Sequence, residues 1–143
     1  MIRIVAVGRL KDRRLADLAG EYRRRIRPLA ALEVVELKDQ TPERESRRFL
    51  DRLGPAGNEV IIALDERGAS IDSQGLARLL GRHGSLAFLI GGADGLADPV
   101  RERANRQLRL SRLTLTHEWA RVLLLEQIYR GLSILRGMPY HRG

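Results

Sequence analysis

The sequence contains no cysteine, which excludes disulfides and thiolate metal sites. Histidine is nearly absent too. His83, His117 and His141 are the only three, no two at the spacing of a zinc-binding helix, so no metal site is expected. Aromatic residues make up 4%, which leaves the core to Leu, Ile, Val and Ala. No apolar run approaches the roughly 20 residues that cross a bilayer, so no membrane partner is expected. Residues 1–10 interleave Arg3 and Arg9 with Ile2, Ile4, Val5 and Val7. That is the pattern of a strand and not of a secretory leader. A cytoplasmic protein is the resulting expectation.

What is present is charge, unevenly placed. The 143 residues carry 26 Lys and Arg against 18 Asp and Glu, a net charge of +8. Residues 1–57 hold 14 basic and 9 acidic side chains, residues 58–100 hold 3 and 6, and residues 101–143 hold 9 and 3. The two ends therefore suit a polyanion while the middle does something else. Nearly all the basic residues are arginine. Its planar fork matches phosphate, although a GC-rich coding bias would give the same excess. The length and the 43% apolar share suit a single domain over residues 1–143 with one core.

Strand and helix patterns alternate along the chain. Residues 1–8 read as a strand, and Leu15, Leu18, Ala19, Tyr22 and Ile26 repeat at helical spacing before Pro28. Residues 32–37 read as a second strand. Thr41-Pro42 forms a cap and first-turn proline for a helix to about residue 53, followed by a loop at 54–57. Residues 60–64 and 86–90 are apolar runs typical of buried parallel strands. Asp72 is expected to cap a helix between them, weakened by Gly75. Asp98-Pro99 is expected to open a short helix, and residues 108–115 to form the last strand. Thr116 then caps a long helix to about residue 135, which Pro139 ends. This βαβ series predicts an α/β protein with a parallel sheet flanked by helices. The last helix is apolar around most of its circumference, more than one sheet-facing stripe requires. A symmetric homodimer is the favoured reason, and burial deep within one chain is the alternative.

Open α/β sheets bind ligands beyond the carboxyl ends of their strands. Three segments fall there: Leu64-Asp65-Glu66-Arg67-Gly68, Ile90-Gly91-Gly92-Ala93-Asp94-Gly95, and Leu108-Arg109-Leu110-Ser111-Arg112-Leu113-Thr114-Leu115-Thr116-His117. Gly91, Gly92 and Gly95 permit positive φ and close approach of backbone to a ligand. Their spacing is neither a dinucleotide fingerprint nor a P-loop, and no serine has the setting of a hydrolase nucleophile. The residues alone thus describe a basic α/β protein with a non-phosphate pocket at its strand ends.

Taken in order, these segments resemble the SPOUT methyltransferase family known as RlmH, which methylates N3 of a pseudouridine in large-subunit (23S) ribosomal RNA. The resemblance begins at Val7-Gly8-Arg9-Leu10-Lys11 and runs through Leu64-Asp65, Ile90-Gly91-Gly92 and residues 110–117. It continues over Ala120-Arg121-Val122 and Glu126-Gln127 to Tyr129-Arg130, and closes on Pro139-Tyr140-His141-Arg142. It implies a C-terminal trefoil knot, a homodimer, and large-subunit rRNA in the ribosome as partner. It also implies S-adenosyl-L-methionine held by Leu64, Gly91, Gly92, Leu110, Ser111, Arg112, Leu113, Thr114, Leu115 and Thr116. Two features depart from the family pattern: Glu118-Trp119, where a neutral polar and an aliphatic residue are usual, and Gly75. The N3 proton must leave during transfer. Tyr140, His141 and Arg142 are the expected catalytic residues, with His141 accepting the proton and Arg142 steadying the developing anion. Docking of RNA by this tail is the alternative. The rival functions are a non-catalytic RNA- or ribosome-binding factor of the same fold and a transfer RNA methyltransferase.

Overall fold

The computed structural model describes residues 1–55 and 57–143; Ala56, within the loop expected at 54–57, lies outside the described residues. The elements are β1 (Ile2–Val7), α1 (Arg13–Ile26), β2 (Leu32–Leu37), α2 (Pro42–Arg52), β3 (Val60–Ser70), α3 (Ser73–Arg82), β4 (Leu86–Ile90), α4 (Asp98–Arg103), β5 (Arg106–Arg109) and α5 (His117–Leu135). The strands of the sheet pair in parallel throughout, in the order β2-β1-β4-β3-β5. The β1-to-β2 connection runs toward one edge and the return to β3 toward the other. The order therefore reverses between β1 and β4, which opens a crevice above them.

Strands covered on both faces need apolar side chains in both directions, and β4 is buried along its whole length. Ile4, Ile62, Phe88 and Ile90 face a core shared with α1, α3 and α5. Val5, Val7, Ile61, Ala63 and Leu89 face a smaller core against Phe49 of α2 and Val100 of α4. Full burial of each large side chain contributes about 1.5–3 kcal/mol. Three helices begin as their sequences specify. Thr41 accepts from the Arg44 amide, Asp72 from the Gly75 amide and Thr116 from the Trp119 amide. Gly75 thus lies in the capped first turn of α3, where it interrupts nothing.

Four details differ from the sequence expectation. β5 is short and starts early, at Arg106 instead of 108, and ends at Arg109 instead of 115. Its only neighbour is β3, whose last residue Ser70 pairs with Arg109, so residues 110–116 have no ladder to join and form a loop. β3 is longer than 60–64: both Leu64 and Ala69 pair with Leu108, and residues 65–68 loop out before the strand resumes. α4 takes Asp98 into its first turn, with Ala97 as N-cap and no side-chain cap; there the Asp98 carboxylate pairs with Arg101. Finally, α5 is ended by Gly137 and not by Pro139. With Gly137 at φ 67°, its amide donates to Ile134 O and that of Met138 to Ser133 O. That is the Schellman arrangement, which favours glycine at this position.

Much of the apolar circumference of α5 is used inside the chain. It packs between α1 and α3, burying Val122, Leu124, Leu125, Ile128 and Leu132. Gly131 lets α3 approach closely, since a Cβ there would lie 2.7 Å from Leu80 Cδ1. Apolar groups left uncovered near this layer are Trp119 and Leu135 of α5 and Leu18 of α1. No helix is long and apolar enough to cross a membrane among the described residues.

Candidate active site

A cleft of about 970 Å³ opens beyond the carboxyl ends of β3, β4 and β5. It is lined by all three segments singled out above. Leu64, Gly91, Gly92, Leu110, Ser111, Leu113, Thr114, Leu115 and Thr116 line it. Arg112 is exposed and is not part of the lining.

The three glycines permit positive φ and close approach, and the structure uses the two freedoms at different positions. Of the three, Gly95 alone has positive φ, at 75°, in a turn closed by its amide on Gly92 O. A Cβ on Gly91 would lie 2.5 Å from the Gly95 carbonyl carbon, so the loop folds onto Gly91 itself. A Cβ on Gly92 would meet Val7 Cγ1 at 3.1 Å, behind the cleft. Gly68 brings the 65–68 excursion back to the sheet, where a Cβ would collide with the Gln107–Leu108 backbone at 2.7 Å. Ser111 and Thr116 spend their hydroxyls on local turns, accepting from the Leu113 and Trp119 amides. The 110–116 wall is therefore shaped by backbone and apolar side chains.

Charged groups brace the rim. Arg101 Nη1 donates to Leu96 O at 2.9 Å and to Asp65 Oδ2 at 3.2 Å, joining the glycine loop to the β3 excursion. Burial opposes ionisation of Asp65. The Arg67 amide and the guanidinia of Arg67 and Arg101 outweigh it and hold the carboxyl below its ordinary range. Across the β1–β4 crevice, Glu118 Oε1 accepts from the amides of Lys11 and Asp12 at 2.9 and 3.1 Å. The Glu118 departure is thus a clamp between α5 and the loop before α1.

The tail lies elsewhere. Tyr140, His141 and Arg142 are not among the cleft residues. Tyr140 Oη donates to Glu126 Oε2 at 3.2 Å, sits 3.3 Å from Tyr22 Oη, and meets the Tyr129 ring edge-on at 4.7 Å. Burial, the Tyr22 hydroxyl and the Glu126 carboxylate push its phenol far above the ordinary range, so it stays protonated. Arg130 lies over the Tyr140 ring, 4.8 Å from its centre, with Nη1 3.1 Å from His141 Nδ1. A guanidinium only donates, so Nδ1 accepts and the ring proton sits on Nε2. Arg142 is exposed. From Trp119, which lines the cleft, to Arg130 the helix rises roughly 16 Å.

A family model described as "Predicted SPOUT methyltransferase" matches residues 1–141. The chain belongs to the SPOUT methyltransferase family. Curated relatives include "Ribosomal RNA large subunit methyltransferase H" of Synechococcus sp. (strain RCC307), 47% identical, covering 99% of this chain and 94% of that protein. The protein of the same name from Syntrophotalea carbinolica is 42% identical, with 96% of each covered. Among solved structures, the SpoU methyltransferase AviRb from Streptomyces viridochromogenes in complex with AdoMet superposes with a TM-score of 0.51 at 15% identity. That match covers 95% of this chain but 58% of AviRb, and carries the fold alone.

Within this SPOUT chain the sequence reading missed the cleft residues supplied by the β1–α1 side, Asp12 and Leu15, and by α4, Arg101. Asp12 carried a signal: it is an N-cap, accepting from the Arg14 and Leu15 amides. Arg101 carried none for the cleft, because beyond its local pair with Asp98 its partners Asp65 and Leu96 are distant or main-chain. Among the described residues no three His, Cys, Asp or Glu gather as metal ligands.

Proposed function

We propose that this chain uses S-adenosyl-L-methionine to methylate N3 of a pseudouridine in 23S ribosomal RNA, working as a homodimer on the ribosome. The observation that carries the reading is the cleft itself, with the glycine loop and the 110–116 wall at the ends of adjacent strands. Its size and lining fit the cofactor. Main-chain donors and acceptors suit an adenine edge, Leu110, Leu113 and Leu115 suit its apolar faces, and Asp94 offsets a cationic ligand. The names of the full-length relatives support rRNA as the substrate class.

When bound, the cofactor supplies a methyl group already activated on a sulfonium, so transfer needs chiefly alignment with the accepting nitrogen. Leu64, Gly91, Gly92 and residues 110–116 would hold and orient it, while Arg101 and Glu118 fix the walls. The N3 proton passes to solvent water and leaves negative charge on the base; His141, expected as its acceptor, has Nδ1 taken by Arg130 and the ring proton on Nε2, and so donates instead. His141 Nε2–H and Arg142 are the donors assigned to that charge, and Arg130 keeps His141 in the donating tautomer. Tyr140 anchors the tail through Glu126. Since the tail lies far along α5 from its own cleft, a second copy is assigned to bring its tail there. The uncovered Leu18 and Leu135 support such an interface.

The test is calorimetry with S-adenosyl-L-methionine, followed by mapping of modified nucleotides in ribosomes from a strain lacking the gene, before and after treatment with the protein. One-to-one binding and a single new N3-methylated pseudouridine in 23S rRNA are expected. Methylation confined to transfer RNA, or cofactor-independent ribosome binding alone, overturns the proposal.

A further inference from the structure

We infer that Trp119 is a stacking platform for a nucleobase of the substrate RNA, next in the strand to the base that enters the cleft. The inference rests on the proposed RNA substrate and assigns a role at the rim of the same site. The chain has six aromatic residues, and five are engaged. Phe49 and Phe88 are fully buried. Tyr22, Tyr129 and Tyr140 pack on one another and beneath Arg25 and Arg130. Trp119, the sole tryptophan, is 53% exposed and borders the cleft.

Its mounting is rigid. Thr116 Oγ1 accepts from the Trp119 amide at 3.3 Å, and the neighbouring Glu118 is clamped to the Lys11 and Asp12 amides. With its backbone fixed in this way, the indole has only two side-chain torsions to lose when a flat partner settles on it. The segments that meet at this rim carry cations, while the acids among them, Asp12 and Glu118, are taken up by Arg14 and by main-chain amides. Lys11, Arg13 and Arg112 are exposed, and among the described residues none of the three is in an ion pair. An aromatic face beside unpaired cations matches single-stranded RNA, in which bases stack and phosphates find positive charge. The indole lies on the exposed rim, whereas Gly91 and Leu96 at the cleft floor are buried. The stacked base is therefore a neighbour of the target, and Trp119 holds the strand while the target reaches inward.

The experiment compares the full-length protein with W119L and W119F, using large ribosomal subunits from a strain lacking the gene and saturating S-adenosyl-L-methionine. W119L should raise KM for subunits about tenfold with a smaller change in kcat, and W119F should remain close to the parent, because any ring face can stack. The emission of the isolated protein should be that of a solvated indole at all concentrations. An unchanged KM in W119L overturns the inference. So does a weakened cofactor Kd with unchanged KM, which would give the indole to the cofactor, and so does blue-shifted emission that relaxes on dilution, which would bury it between two copies. If the parent methylates nothing, the proposed function falls separately. The indole is then read by quenching with oligouridylate, and absence of quenching overturns the stacking.

Discussion

At its amino end α5 borders a cleft shaped by main chain; near its carboxyl end it carries a tail held by side chains. The cleft depends on where backbone can go: Gly91 folds against Gly95, Gly68 against Gln107, and residues 110–116 run free once β5 loses its partner. The tail depends on functional groups: two tyrosine hydroxyls, one carboxylate, a guanidinium and an imidazole in mutual contact. The first kind of site fails when volume is added and the second when an atom is removed. Both are formed within one chain, and among the described residues nothing brings them together. On the proposed reading, a reaction that needs both would take its tail from a second copy.

The largest effect should follow from adding one carbon to the cleft. A Gly91→Ala Cβ would sit 2.5–2.9 Å from backbone atoms of Gly95 and Leu96, and no side-chain rotation relieves a clash with backbone. Cofactor binding measured by calorimetry should weaken at least about a hundredfold, with stability falling by about 1–3 kcal/mol. Gly92→Ala, whose Cβ meets the side chains of Val7 and Glu45 and no backbone, should weaken binding by no more than about threefold. Equal losses at the two positions would mean that the loop as a whole is strained, and the distinction drawn for Gly91 would fail.

Removing the tail's function should leave cofactor binding untouched. His141→Ala is expected to keep the parental Kd for S-adenosyl-L-methionine and to lose most methyl transfer at saturating ribosome. A mixture sharpens the point. Gly91→Ala chains lack a cleft but keep a tail, and His141→Ala chains have the reverse. Unfolded and refolded together in equal amounts, they should form mixed dimers in which one of the two sites is whole. Activity should return to about a quarter of the parental value per site. Two inactive partners that stay inactive after mixing would place each tail at its own cleft.

Sequence alone made the cleft legible because its requirements are local. Glycine after a buried strand, and a capped helix after a Leu- and Thr-rich run, are visible in neighbouring residues. Leu64, Gly91 and Gly92 were therefore found at the lining, and five strands were identified in order. The misses share one cause. The length of β5 is decided by where β3 ends, and the roles of Arg101 and Glu118 by groups 36 and 107 positions away. The outward surplus of α5 was overestimated because α1 and α3 cover it from two sides. The tail's residues were legible through resemblance, but their docking against Tyr22 and Glu126 was not.

The smallest effects are on stability and separate the two regions by pH. Glu45 is buried behind the glycine loop, 5% exposed, with its carboxylate accepting from the Gln40 amide. Burial pushes its carboxyl above the ordinary value of 4.5, the Gln40 amide partly offsets this, and Asp39 and Asp94 add to the rise. The folded state therefore holds this proton more tightly than the unfolded chain. Its contribution to stability is complete below pH 4.5 and is lost as pH rises through the folded-state value. Tyr140 in the tail is displaced in the same direction from 10.0, so its contribution is complete below pH 10 and lost above it. Glu45→Gln should raise Tm near neutral pH and give no gain at pH 4. Tyr140→Phe should leave the acidic limb alone and flatten the alkaline one. Melting curves from pH 4 to pH 11 test both, and a Glu45→Gln gain that persisted unchanged at pH 4 would show that packing, not the buried charge, sets the stability behind Gly92.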